Sequence, residues 1–194
     1  MYFDQVLAGR RAVREYTNEA VDEKSIRHMI DCAVKAPNAI NQQPWAFSVV
    51  RNIALLDKIS EEAKLHMLST NNDGRHKGHL HTNLEDPGSH IFYHAPVLIL
   101  ISATEVGHWI VEDCSLAAQN LMLSAFELGL GSCWIGCAQG FLNSERGKSL
   151  IQLPEQWVPI APIIVGHTND FPAPTTRKVP EIRWISQETA RQAV

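Results

Sequence analysis

Apolar positions along the chain alternate between helical spacing and short continuous runs. Tyr2 to Leu7 reads as a short helix stopped at Gly9. Asp22 is placed to cap a better one, in which Ile26, Met29, Ile30, Ala33 and Val34 form an apolar stripe. That helix must end near Ala36, because Pro37 disfavours helical geometry in the residue before it. Trp45 to Val50 carries the aromatic and β-branched residues of a strand, and Ile53 to Leu68 follows as a helix. Asn71 to His90 is polar and aperiodic, the kind of long loop that is usually functional or mobile. Pro96 to Ala103 has the length of a buried strand. Trp109 to Leu128 is the strongest helix, ended by Gly129, and its apolar residues spread over more than one face. Such a helix belongs in the centre of the core, at a subunit interface, or both. A short helix from Asn143 to Ile151 precedes a strand from Trp157 to Gly166, where Pro159 and Pro162 suggest an edge position or a bulge. The tail from Asp170 to Val194 looks extended before a last short segment. Helices and strands mix without regular alternation, which favours α+β over a doubly wound parallel sheet.

A chain of 194 residues supports one substantial core, and no repeat or linker divides residues 1–194, so one domain is expected. The formal net charge of -4 argues against a dedicated nucleic-acid binder but leaves room for a local basic pocket. No apolar run approaches the roughly 20 residues that span a bilayer. Met1 to Gln5 lacks a basic start followed by an apolar stretch, so no export signal is expected and the cytoplasm is the default. Cys32, Cys114, Cys133 and Cys137 fit neither a disulfide framework nor a metal-ligand spacing and are expected to be small buried hydrophobes.

Two stretches carry the chemistry. Arg10, Arg11 and Arg14 pack three guanidinium groups into five positions, and guanidinium holds phosphate through forked, charge-assisted hydrogen bonds. Taken alone, they could equally be a basic stretch ending a helix. Ala36 to Trp45 is rich in Asn and Gln, whose paired donors and acceptors suit the edge of a heterocycle, although it could also be a well-satisfied turn. Together they point to a phosphorylated, ring-bearing cofactor. Standard nucleotide fingerprints are missing: Gly129-Leu130-Gly131-Ser132-Cys133-Trp134 begins as GxG but follows a helix and has Trp where the third Gly belongs.

This combination resembles the nitroreductase family of flavoenzymes. Arg10-Arg11-Ala12-Val13-Arg14-Glu15-Tyr16 is similar to the family's R-R-S-[IV]-R-x-[FY], and Ala36 to Trp45 to its A-P-S-[AS]-x-N-x-Q-P-W. Ala95-Pro96, the helix and glycine turn from Asp113 to Gly136, Leu153-Pro154-Glu155 and Ile163 to Gly166 extend the match in order. The resemblance implies a mostly antiparallel central sheet flanked by helices, in an intertwined homodimer with an exchanged C-terminal segment. It implies FMN at the dimer interface, with NAD(P)H as reductant. Arg10 and Arg11 would hold the phosphate, Arg14 the pyrimidine side of the ring, and Arg177 would complete the clamp, with Lys178 a weaker candidate. Pro37, Asn38, Ala39, Asn41 and Gln43 would meet the ring from the other subunit, and Trp134, Ile135 and Gly136 would lie against it. The flavin carries the chemistry in such enzymes, so no catalytic side chain is named. Hydride would pass from NAD(P)H to an electron-poor acceptor, such as a nitroaromatic or quinone, by ping-pong kinetics.

Ala12 and Asn38 depart from the family's serines, the first removing a hydroxyl donor to phosphate. His76, His79, His81, His90 and His94 cluster in the polar loop but match no standard metal motif, so no metal is expected; they are expected to border the site entrance. Alternatives are a flavin-binding or metal-sensing module without turnover, or a family branch performing reductive dehalogenation or flavin fragmentation. A purely structural interaction domain fits poorly with so many polar groups around Arg10 and Asn41.

Overall fold

The computed structural model describes residues 1–70, 84, 86 and 88–185. Helices α1 (Phe3–Gly9) and α2 (Glu23–Ala33) lead to strand β1 (Trp45–Val50) and helix α3 (Ile53–Thr70). Then come β2 (Val97–Ala103), α4 (Ile110–Glu127), β3 (Gly131–Trp134), α5 (Gln139–Asn143), α6 (Glu145–Leu150) and β4 (Val158–Gly166). Among the described residues no helix is long and apolar enough to cross a membrane.

The strands form one antiparallel sheet in the order β1-β2-β4-β3. Every residue of β2 is buried: its side chains alternate between two covered faces, which is why Val97 to Ile101 reads as a continuous apolar run. Ile99 and Ile101 pack with Ile26 and Met29 of α2 and Ala117 and Leu121 of α4. Leu98 and Leu100 point the other way, to Leu56 and Ile59 of α3 and Phe141 and Leu142 of α5. The sheet is therefore the middle of three layers. Each of these fully buried Ile and Leu side chains stabilises it by about 1.5–3 kcal/mol.

The Asp22 cap is present, accepting from the Ser25 amide at 2.9 Å. Val34, by contrast, falls outside the buried stripe of α2 and is exposed. In α4 the face carrying Cys114, Ala117, Ala118 and Leu121 is buried, while Val111 and Leu116 remain exposed.

Several elements differ from expectation. β3 was not anticipated, because Gly131–Trp134 reads as a turn when its pairing with Ile163 to Gly166 is unseen. β4 is a central strand. Pro159 is accommodated by a bulge, at which Ile101 faces Ala161 while Ser102 faces Pro159; Pro162 pairs in regular register with Leu100. The Pro159 carbonyl accepts from Asn143 Nδ2 at 2.8 Å, while the Ser102 hydroxyl opposite it is buried without a partner. The helix expected from Asn143 to Ile151 is α6, whereas α5 before it was not anticipated; the extended backbone of Ser144 (ψ 156°) ends α5 and caps α6. Of the four free cysteines, Cys114 and Cys133 are buried, but Cys32 and Cys137 are only half-buried. Residues 170–185 have no regular secondary structure, and the last short segment expected after them falls largely outside the described residues.

Candidate functional site

The arginine stretch leaves α1 and runs beside β3. Ala12 bridges Ser132 in parallel, and the Val13 amide donates to the Ser132 carbonyl at 3.0 Å. Gly131 makes this possible, since a Cβ there would stand 2.8 Å from the Val13 side chain. Tyr16 fastens the far end: its hydroxyl donates to the Val13 carbonyl at 2.8 Å, and burial pushes its phenol well above the ordinary range.

This placement gathers cations. Burial, and then the charges of Arg11 and Arg177, hold the Arg10 guanidinium below its usual pKa. Arg11 donates to the Arg10 carbonyl at 2.7 Å, while its Nε is buried without a partner. Among the described residues no carboxylate forms an ion pair with Arg10, Arg11 or Arg177. Adjacent Arg10 and Arg11, one with an unsatisfied donor, together with the charge of Arg177 that acts on Arg10, fit an anion with several oxygens.

Next to the clamp lies a cavity of about 660 Å³, lined by Arg14, Tyr93, Cys133, Trp134, Ile135, Gly136 and His90 among others. The volume suits a ring-sized ligand. Arg14 stands over the Tyr93 ring, 5.9 Å from its centroid. Burial raises the Cys133 and Cys137 thiols, which holds them protonated and poorly nucleophilic.

The amide loop is elsewhere. It precedes β1, at the opposite sheet edge from β3, three strand spacings or roughly 14 Å away. Ile40, Asn41 and Gln43 all have left-handed backbones (φ 48°, 56° and 51°), a costly geometry for non-glycine residues. The loop is braced against that cost. Asn38 Oδ1 accepts from the Gln43 amide at 2.8 Å, Gln43 Nε2 donates to Asn41 Oδ1 at 3.2 Å, and the Ala39 amide donates to buried Asp113 Oδ1 at 3.0 Å. Asn38 thus spans its own loop, a role its longer side chain serves in place of serine.

The sequence model of the Nitroreductase family matches residues 7–167. The chain belongs to the Nitroreductase family. A Methanothermobacter thermautotrophicus protein, provisionally named NADH dehydrogenase/NAD(P)H nitroreductase, is 32% identical over 173 residues, spanning 87% of this chain and 78% of that protein. A Bacteroides fragilis nitroreductase solved with bound FMN shares the fold with a TM-score of 0.82 at 22% identity, covering 94% of this chain and 97% of its own. Oxidised iodotyrosine deiodinase, solved with FMN and 3-iodo-L-tyrosine, superposes with a TM-score of 0.76 at 21% identity, covering 94% and 98%.

Against the Nitroreductase family pattern, the expected site residues fall into two groups. Arg10, Arg11, Ala12, Arg14, Trp134, Ile135, Gly136 and Arg177 assemble around β3, whereas Pro37, Asn38, Ala39, Asn41 and Gln43 stand at the far edge. Asp113 escaped residue-level notice, although a carboxylate in register with Ala117 and Leu121 on an apolar stripe was a usable signal. Tyr93, paired with Arg14, carried no sequence signal of its own. His90 borders the cavity as expected; His76, His79 and His81 lie outside the described residues.

Asp57, His90 and His94 bring one potential ligand atom each within 4.8 Å of one another. Hydrogen bonding explains this cluster without a metal. His90 Nδ1 accepts from the amides of Phe92 (3.2 Å) and His94 (3.4 Å), so the ring proton sits on Nε2, which donates to Asp57 at 3.1 Å.

Proposed function

We propose that the protein is an FMN-dependent oxidoreductase, working as a homodimer, that uses NAD(P)H to reduce electron-poor small molecules such as nitroaromatics or quinones. The observation that carries this reading is the pair Arg10 and Arg11, with Arg11 Nε buried and unsatisfied and its segment bridged to β3, beside the cavity of Trp134–Gly136. The provisional NAD(P)H nitroreductase name of the relative and the FMN bound by the solved structures agree with it.

In this reading Arg10, Arg11 and Arg177 hold the phosphate, and Arg14 stabilises negative charge on the pyrimidine side of the ring. When bound, FMN supplies hydride transfer through N5, to and from ligands that occupy one place in turn, so kinetics are ping-pong. Trp134, Ile135 and Gly136 line the ring's bed and exclude water. The amide loop, at least roughly 14 Å from that bed in its own chain, serves the second protomer. Exposed Val111, Leu116, Ile40 and the tail residues Val179, Trp184 and Ile185 are the apolar surface that pairing and tail exchange would cover. No side chain is needed as nucleophile, and residues 1–194 act as one unit.

The test is NAD(P)H oxidation by FMN-loaded protein across a panel of acceptors, with sedimentation to read the dimer. Yellow protein that turns over with lag-free parallel-line kinetics is expected. Failure to retain FMN, or to oxidise either nucleotide with any acceptor, overturns the reading.

A further inference from the structure

The turn that delivers Tyr93 to the cavity is strained, and it is tied to α3 by the His90 imidazole as well as by the Ile91 amide, which donates to Ser60 Oγ at 3.0 Å. Tyr93 and His94 both adopt left-handed backbones, with φ of 49° and 55°. For non-glycine residues this conformation persists only where its surroundings impose it. Two backbone bonds close the turn, from the Tyr93 amide to the His90 carbonyl and from the Ala95 amide to the Phe92 carbonyl, both at 2.9 Å. His90 adds the side-chain brace, its Nδ1 receiving the amides of Phe92 and His94, one on each side of Tyr93. That lone pair is available because the ring's only proton is on Nε2, pointing at Asp57 of α3.

We propose that Asp57 and His90 are a positioning pair for the candidate site, holding Tyr93 in the cavity wall beneath Arg14. The inference rests on the FMN reading for its kinetic consequences, but its structural content does not. Asp57 fixes the tautomer, the tautomer provides the acceptor, the acceptor holds the turn, and the turn presents the Tyr93 ring to Arg14. A second proton on His90 would set an N–H against two amide N–H groups and release the turn. The charged and titratable groups facing His90 among the described residues are Asp57, Glu61 and Lys64 from α3, Asp86 on the preceding segment, and His94, whose ring lies 4.3 Å away. Burial, His94 and Lys64 disfavour that proton; Asp57 favours it.

The experiment compares FMN-loaded wild type with His90→Ala, His90→Asn and Asp57→Asn. Asparagine can place an uncharged, non-titrating oxygen where Nδ1 lies. For wild type, KM for the acceptor should rise roughly two- to fivefold as pH falls through the histidine range, the scale of one cation–π contact, with kcat much less affected. His90→Ala should show the raised KM at every pH. His90→Asn should keep the low KM and lose the acid limb, and Asp57→Asn should move the limb to lower pH. Hydrogen–deuterium exchange at neutral pH reads the turn without cofactor: the Phe92 and His94 amides should lose protection in His90→Ala and keep it in His90→Asn. Should the protein bind no FMN, that arm still decides. Equal protection in the two His90 variants, or an acid limb surviving in His90→Asn, overturns the proposal. So does stoichiometric zinc binding by wild type that Asp57→Asn abolishes, since the cluster would then be a ligand set.

Discussion

The amide of Ala39 donates to Asp113 Oδ1 over 3.0 Å, joining the amide loop to the first turn of α4. Asp113 is buried, so this is a charge-assisted bond shielded from water. Asp113→Ala leaves the Ala39 amide without its acceptor and should cost about 1–3 kcal/mol in urea unfolding. Asp113→Asn keeps an acceptor oxygen and should cost clearly less. Equal losses in the two variants would show that the bond does not brace the loop.

The arginine cluster predicts opposite signs with and without cofactor. Arg177→Ala relieves repulsion on Arg10, so cofactor-free protein should melt no lower than wild type. Its affinity for FMN should nevertheless fall roughly ten- to a hundredfold, the scale of one lost charged hydrogen-bonding partner. Fluorescence titration of FMN, paired with thermal melts of the apo form, separates these effects.

Ala12 lies in the clamp segment, bridged to Ser132, without a hydroxyl. Ala12→Ser should tighten FMN by about 0.5–1.5 kcal/mol if the new oxygen reaches the phosphate. Unchanged affinity in the same titration would place that side chain away from the anion.

Gly131 is needed for space. Its φ calls for no glycine, but a methyl group would meet Val13 at 2.8 Å. Gly131→Ala should therefore destabilise by about 1–3 kcal/mol through overpacking and displace the arginine segment. Val13→Ala in the same chain should recover part of the loss, a less-than-additive double mutant measurable by chemical denaturation.

His90 also makes stability depend on pH. Burial, the largest cause, lowers its folded-state pKa from the ordinary value of 6.5, so the unfolded chain binds its proton first. Its contribution to stability is complete above about pH 6.5 and is lost as pH falls from there through the lower folded value. His90→Asn should flatten this part of the stability profile. A slope of the same size in that variant would assign it to other groups.

Local spacing was enough to find most elements. Asp22 capped a helix where expected, and the apolar run at Val97–Ala103 formed a strand buried on both faces. The arginine trio and the amide loop were likewise legible, because charge density and amide content are properties of short stretches. β3 was not, since four residues beginning with glycine become a strand only by pairing with β4. Pro159 and Pro162 pointed to an edge or a bulge, and only the register with β2 showed a bulge in a central strand.

The sequence by itself thus determined the chemical parts: guanidinium groups for an anion, amides for a ring, and apolar segments for a layered core. Only the tertiary structure decided which parts meet. It bridged the arginine segment to β3 and set Tyr93 beneath Arg14. It also separated the amide loop from Trp134 by the width of the sheet. The reason is physical. Side-chain chemistry is carried by each residue, whereas strand order and the bracing of left-handed turns depend on hydrogen bonds between segments far apart in the chain.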